Sequence, residues 1–116
     1  MQARKVPMSN RLAIAIAILL GFTVAVSAAG TLKVIQRGLA LTPDSATIAK
    51  GDRLIFTNDD DVIHNIHVFG PGGEDDSVDL GLQKPGKTLT YKFDRLGSYR
   101  VRCNIHPSVK MSVQVK

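Results

Sequence analysis

The chain has 116 residues, of which 44% are hydrophobic and 5% aromatic, with fifteen basic and ten acidic side chains and a formal net charge of +5. No run of Lys or Arg is longer than two residues and aromatic residues are few, so the composition gives no support for nucleic-acid binding. The chain holds a single cysteine, Cys103, which excludes a disulfide within the chain.

The first thirty residues are typical of an export signal. They begin with three basic residues, Arg4, Lys5 and Arg11. An uncharged apolar run covers residues 12–26, and small residues follow it. This order predicts a secretory signal peptide over residues 1–29, with cleavage after Ala28 or Ala29. The apolar run is shorter than the about 20 residues of a membrane span, but an uncleaved anchor stays open as the alternative.

Cleavage there leaves one domain of residues 30–116, which we expect to be exported or periplasmic, free of the membrane and monomeric. Its twelve basic and ten acidic residues give it a net charge of +2. So short a domain has a thin core, and small exported domains are usually cross-linked by disulfides. Its lone cysteine is therefore a buried bystander, a reactive thiol or a metal ligand, and a bound metal would supply the missing cross-link.

Short runs rich in β-branched or alternating residues predict strands throughout this domain. In chain order the strands are predicted at residues 31–36, 46–48, 54–57, 62–69, 88–94, 98–103 and 109–115. Turns are predicted at residues 41–45, 50–52, 58–61, 70–73, 84–87 and 95–97. An acidic loop is predicted from Glu74, Asp75, Asp76 and Asp79. Seven or so short strands separated by turns predict an all-β fold, either an antiparallel sandwich or a small barrel.

The strand that ends at Cys103 directs this side chain inward. Cys103 shares a face with Tyr99 and Val101, so we predict that it points into the core. His106 follows three residues later, and in a continuous strand it would face the opposite side. A loop after Cys103 would allow the sulfur and the imidazole to meet at one point.

The other two histidines are separated by the same argument. His64 and His67 lie three residues apart on a predicted strand, so they face opposite sides of the sheet and cannot both serve one site. His64 stands near the start of the strand, beside an Asp-rich turn, and is the better candidate ligand. We predict that His67 is an ordinary strand histidine.

One thiolate and two imidazoles are the in-plane ligands of mononuclear copper electron-transfer sites. Three other interpretations compete with this one. A lone cysteine can be a small buried hydrophobe, and a Cys–His pair can be a nucleophile with its base, although so small a β domain disfavours a substrate cleft. Zinc could bind the same side chains, and the ligand types alone do not exclude it.

Several short motifs occur in the order seen in the cupredoxins, and the sequence resembles their small plastocyanin-, amicyanin- and pseudoazurin-like blue copper proteins. The motifs are Pro43, Ile48, Lys50-Gly51-Asp52, Phe56-Thr57-Asn58, His64-Asn65, Gly97-x-Tyr99 and Cys103-x-x-His106. The resemblance spans roughly residues 41–115. It implies a Greek-key β-sandwich that holds one type 1 copper ion at one end. It implies the in-plane ligands His64, Cys103 and His106, with Asn65 tying the His64 strand to the Cys103 loop.

The resemblance points to two different positions for the axial ligand. Met111 follows His106 at the plastocyanin and pseudoazurin spacing, and we predict it as a weak axial ligand. The Cys-Asn-Ile-His-Pro motif resembles the shorter amicyanin loop, in which the methionine occupies the position of Val109 in this chain. Both positions have inward parity, so a site with three strong ligands and Met111 in the core remains the alternative.

The resemblance implies a one-electron carrier between redox partner proteins, whose identity the sequence does not reveal. The alternative is an exported copper carrier with no electron-transfer role, although the chain has no Met-rich or His-rich capture segment. We do not expect an enzyme. The copper enzymes of this superfamily need further copper centres and more histidines, whereas this chain has three.

Overall fold

The computed structural model describes residues 29–116, which form nine strands. They are β1 (Thr31–Arg37), β2 (Ala40–Thr42), β3 (Ser45–Ile48), β4 (Arg53–Asn58), β5 (His64–Phe69), β6 (Ser77–Gln83), β7 (Thr88–Lys92), β8 (Gly97–Arg102) and β9 (Lys110–Val115). The predicted signal peptide and its apolar run lie outside the described residues. Within residues 29–116, no helix is long and apolar enough to cross a membrane.

The strands form two sheets that face each other, so the predicted all-β sandwich is confirmed. One sheet has four strands in the order β2-β1-β4-β7, and the other has five in the order β3-β9-β8-β5-β6. Two pairs, β1–β4 and β3–β9, are parallel, whereas an antiparallel sandwich was one expectation from the sequence. Parallel neighbours need a long crossover connection, and residues 38–52 supply one between β1 and β4.

Alternating residues of both sheets fill the space between them. Along β9, Met111, Val113 and Val115 are buried, as the predicted parity requires. The aromatic residues Tyr91, Phe93 and Tyr99 pack edge to face, with ring centroids 4.8 and 5.0 Å apart. The Tyr99 hydroxyl donates to the Arg95 carbonyl at 2.8 Å, so its polar end is satisfied at the edge of the core.

Strand β6 corrects the predicted acidic loop. Glu74, Asp75 and Asp76 do lie in a turn, but Asp79 belongs to β6, a strand that the sequence analysis did not predict. The strand lies at the edge of the larger sheet, and its residues Val78, Asp79 and Leu82 are exposed. Its pairing with β5 shifts register between Ile66 and His67, which breaks the alternation of side chains along it.

The region predicted as a turn at residues 41–45 is shorter than expected. Strand β2 ends at Thr42 and β3 begins at Ser45, so only Pro43 and Asp44 remain between the strands. Strand β5 begins at His64 instead of Val62, and the side chains of Val62 and Ile63 are each 44% exposed. His64 is therefore the first residue of its strand, next to the turn that follows β4.

Candidate metal centre

Two segments that are distant in the chain meet at one end of the five-stranded sheet. Strand β5 begins at His64, its neighbour β8 ends at Arg102, and Cys103 follows directly. The Cys103 Sγ lies 3.7 Å from Nδ1 of His64 and 4.0 Å from Nδ1 of His106. One ligand atom from each of these three residues lies within 4.8 Å of the other two, so the structure brings the three predicted in-plane ligands together.

A tight loop turns His106 back toward the sulfur. The Cys103 N–H donates to the Val109 carbonyl at 3.0 Å, and the Val109 N–H donates to the His106 carbonyl at 2.8 Å. These two bonds close the segment 104–108 into a loop between β8 and β9. Cys103 and His64 are fully buried, whereas His106 is partly exposed. The loop therefore places one imidazole at the protein surface.

An acidic side chain sets the tautomer of His64. Asp60 Oδ2 lies 2.8 Å from Nε2 of His64, and the Gly38 N–H donates to Asp60 Oδ1 at 2.8 Å. The Gly38 bond, and after it the bond from His64, hold the pKa of Asp60 below its ordinary value, so this carboxyl is ionised at neutral pH. An ionised carboxylate only accepts hydrogen bonds, so Nε2 of His64 carries the hydrogen. The lone pair on Nδ1 then faces the Cys103 sulfur and is free to bind a metal.

Asn65 joins the two segments, as the resemblance implies. Its backbone N–H donates to Cys103 Sγ at 3.3 Å. Its side-chain Oδ1 accepts the N–H of Asn104, the residue after Cys103, at 2.5 Å. A hydrogen bond to sulfur stabilises a thiolate, and the second bond fixes the start of the loop that carries His106.

His67 lies outside this cluster, and its predicted orientation away from His64 is confirmed. Its Nε2 lies 2.9 Å from the Ser77 hydroxyl oxygen. Its Nδ1 lies 3.2 Å from Oδ1 and 3.0 Å from Nδ2 of the Asn104 carboxamide. The side chain is partly exposed on the outer face of the sheet, whereas His64 is fully buried.

The two candidate axial residues lie at the start of the last strand, with Val109 just before β9 and Met111 as its second residue. Met111 is 2% exposed, belongs to the core and pairs with Val101 across the β8–β9 ladder. Val109 is fully buried, and its carbonyl bonds directly to the Cys103 N–H. Met111 therefore stands two residues, or about 6.8 Å of strand, further from the loop than Val109 does.

The donor set fits a copper ion of the type 1 class. It offers one sulfur and two imidazole nitrogens, the soft thiolate and the imidazoles that copper accepts in both oxidation states. Structural zinc sites have four strong ligands. Among residues 29–116, this cluster contains no fourth His, Cys or carboxylate donor.

Two residues around the cluster escaped the sequence analysis. Asp60 was part of an Asp-rich turn, and its position four residues before His64 was the only available signal. Asp79 was assigned to a loop, although it contacts Asn65 at 3.0 Å. The contact of Asp60 depends on the turn after β4, and that of Asp79 depends on the bulge in β6. Residue spacing reveals neither feature.

The β-sandwich with a buried cysteine sulfur and two imidazoles at one end is the architecture of a small copper protein, and comparison with known proteins agrees. The sequence matches the family described as copper binding proteins of the plastocyanin/azurin family over residues 28–116. The chain belongs to this family.

Individual members of this family and solved structures are similar to this chain. Plastocyanin from Vicia faba is 32% identical over 87 residues, which cover 67% of this chain and 87% of the relative. Amicyanin-alpha from Methylorubrum extorquens is 34% identical over 76 residues, which cover 65% of this chain and 62% of the relative. Among solved structures, a reduced amicyanin mutant has a TM-score of 0.67 at 24% identity and covers 79% of this chain and 88% of its own. The purple cupredoxin from Nitrosopumilus maritimus has a TM-score of 0.62 at 23% identity and covers 73% and 99%. The two structures share the fold of this chain.

Proposed function

We propose that this protein is an exported or periplasmic one-electron carrier, with copper held by His64, Cys103 and His106. The observation that carries the proposal is the convergence of one sulfur and two imidazole nitrogens within 4.8 Å at the end of a rigid sandwich. A copper ion bound there would supply the chemistry, a reversible one-electron change between its two oxidation states.

The residues around the ligands would hold them in place when the metal charge changes. The Asn65 N–H bond to Cys103 Sγ stabilises the thiolate, and the Asp60 bond fixes the His64 ring. Cys103 and His64 are both fully buried, so no water has to rearrange around them. A site that moves little between two charge states transfers electrons with a small reorganisation cost.

His106 is the proposed point of electron entry and exit. It is the only one of the three proposed ligands that is partly exposed. Its neighbour Ile105 is 47% exposed, so the surface at this point is partly apolar. A partner protein that covers this loop would bring its own redox centre close to the imidazole edge.

The partner would be another redox protein. The chain itself would be a monomeric carrier and not an enzyme. Among residues 29–116 only this one group of three or more potential metal ligands is found. Two relatives from Methylorubrum extorquens are named amicyanin-alpha and methylamine utilization protein MauL.

An absorption spectrum of the purified domain with Cu(II) tests the metal assignment, and voltammetry tests the carrier function. We expect an intense visible thiolate-to-copper band and a reversible one-electron wave. A colourless protein would indicate zinc or no metal. A coloured protein that loses copper rapidly to a chelator and gives no reversible wave would support the alternative, a copper carrier.

Met111 is proposed as a weak axial ligand, and a conservative substitution tests it. A thioether favours the oxidised ion, so Met111→Leu is expected to raise the reduction potential clearly. The two side chains have similar volumes, so the cost in unfolding free energy is below about 1.5 kcal/mol. Voltammetry and the visible spectrum measure the outcome. If both stay unaltered, Met111 is a core residue and the site has three strong ligands.

Asp60 is expected to matter for copper affinity because it accepts from two donors, the Gly38 N–H and Nε2 of His64. Asp60→Asn leaves one oxygen acceptor where the structure uses two. Loss of such a partner of a ligand typically weakens metal binding about 10- to 100-fold. Competition with a copper chelator measures the change. Asp59→Asn is the control, because Asp59 pairs with the exposed Arg37. Equal affinities of wild type and Asp60→Asn would contradict the assignment.

A further inference from the structure

The carboxylate of Asp79 stands at the centre of a hydrogen-bond network beside the metal-binding loop. Its Oδ1 accepts the Gly81 N–H at 2.9 Å and the Asn65 Nδ2 at 3.0 Å. Its Oδ2 lies 3.4 Å from Nδ2 of Asn104. Asp79 therefore contacts both residues whose mutual bond fixes the start of the loop.

The chemistry of these groups determines how the Asn65 carboxamide is oriented. A carboxylate only accepts hydrogen bonds, so the NH₂ group of Asn65 must point toward Asp79. The oxygen of Asn65 then points toward the Asn104 N–H, which it accepts at 2.5 Å. The opposite orientation would set an oxygen against the carboxylate and an NH₂ group against an N–H. Asn65 is only 3% exposed, so water cannot easily replace these partners.

A bulge in β6 aims Asp79 at this position. Ile66 pairs with Gly81, but the next residue of β5, His67, pairs with Asp79, which leaves Leu80 as the extra residue. Gly81 has a φ of 98°, a conformation that favours glycine. Bulges redirect the side chains beside them, and this one turns Asp79 toward Asn65.

We propose that Asp79 is a positioning residue for the metal-binding loop, acting on it through Asn65 and Asn104. This inference rests on the proposed copper site for its functional meaning, since the loop carries Cys103 and His106. Asp79 is exposed and touches neither of them directly. Its role is to fix the Asn65 carboxamide, so that the first peptide of the loop is held before and after metal binding. Its negative charge also favours the oxidised copper ion over the reduced one.

Two substitutions separate the acceptor from the charge. Asp79→Asn keeps an oxygen that can accept from Asn65 and Gly81, and removes the charge together with the weak 3.4 Å contact to Asn104. Asp79→Leu has a similar size and removes both. In the metal-free protein, hydrogen exchange of the Asn104 N–H, followed by NMR, is expected to accelerate about tenfold in Asp79→Leu and to stay near the wild-type rate in Asp79→Asn. In the copper-loaded protein, Asp79→Asn is expected to raise the reduction potential without changing the type of visible spectrum.

Asp94→Asn and Asp94→Leu are the matched controls, because Asp94 follows β7 of the other sheet and pairs with the exposed Lys92. Neither control is expected to change the exchange of Asn104 or the potential. Wild-type exchange of Asn104 in Asp79→Leu would overturn the proposal, and so would equal acceleration in Asp79→Asn. Failure of the wild-type domain to bind copper would overturn the proposed function instead, while the metal-free exchange rates would still decide the role of Asp79.

Discussion

A Cys103→Ser variant is expected to show no intense visible band with Cu(II), whereas the wild-type domain is expected to be strongly coloured. The band arises from charge transfer between a thiolate and copper, and a serine hydroxyl supplies neither sulfur nor negative charge at neutral pH. The Cys103 sulfur lies beside both imidazoles, 3.7 Å from Nδ1 of His64 and 4.0 Å from Nδ1 of His106. No other cysteine in the chain can replace it.

The same substitution is expected to remove the stability that the metal adds to the folded domain. A ligand that binds only the folded state adds about 2.7 kcal/mol when its concentration is 100 times its Kd. Thermal unfolding of wild type and variant, with and without Cu(II), measures this gain. The metal-free pair is the control, because a serine hydroxyl can still accept the Asn65 N–H that now donates to the sulfur. A variant that keeps its full colour would show that Cys103 is not a ligand.

His64→Ala and His67→Ala form a matched pair with opposite expected outcomes. His64 is fully buried and lies beside the sulfur, whereas His67 faces outward and contacts Ser77 and Asn104. His64→Ala is expected to abolish the type 1 spectrum, because two ligands do not hold copper in that geometry. His67→Ala is expected to leave the band in place and, as a substitution of a partly exposed residue, to cost little stability.

Titration of both variants with Cu(II), followed by visible absorption, measures the difference. Each histidine belongs to the same strand, so the pair controls for general damage to β5. Equal loss of the band in both variants would contradict the assignment, because two rings that face opposite sides of the sheet cannot both bind one metal ion.

The parts of the fold that the sequence predicted are those with regular alternation. In β8 the inward positions Tyr99 and Val101 are buried and the outward Arg100 is exposed, so the direction of Cys103 could be inferred from its place in the run. The same rule separated His64 from His67. Strand parity is a local property, and one residue of error would have reversed it.

The parts that the sequence did not predict depend on irregular backbone or on distant partners. Strand β6 was missed although Val78, Leu80 and Leu82 alternate with polar residues or glycine, because the acidic residues around its start indicated a loop. Asp60 lies in a turn and Asp79 lies beside the bulge in β6, and the sequence defines neither the course of that turn nor the position of the bulge. The position of Val109 and Met111 relative to the metal site depends on the register of β9 against β8, which residue spacing alone leaves open.

The order of strands in the larger sheet has a consequence for how the domain folds. Strand β9 is the last of the nine strands described, yet it lies between β3 and β8 and pairs with both. Its partner across the parallel ladder is distant, since Ser45 pairs with Ser112. Native pairing of this sheet must therefore wait until residues 110–115 are available, and contacts of such long sequence separation place the chain among the slow-folding β proteins. The loop that holds Cys103 and His106 would take its native shape only at this late stage.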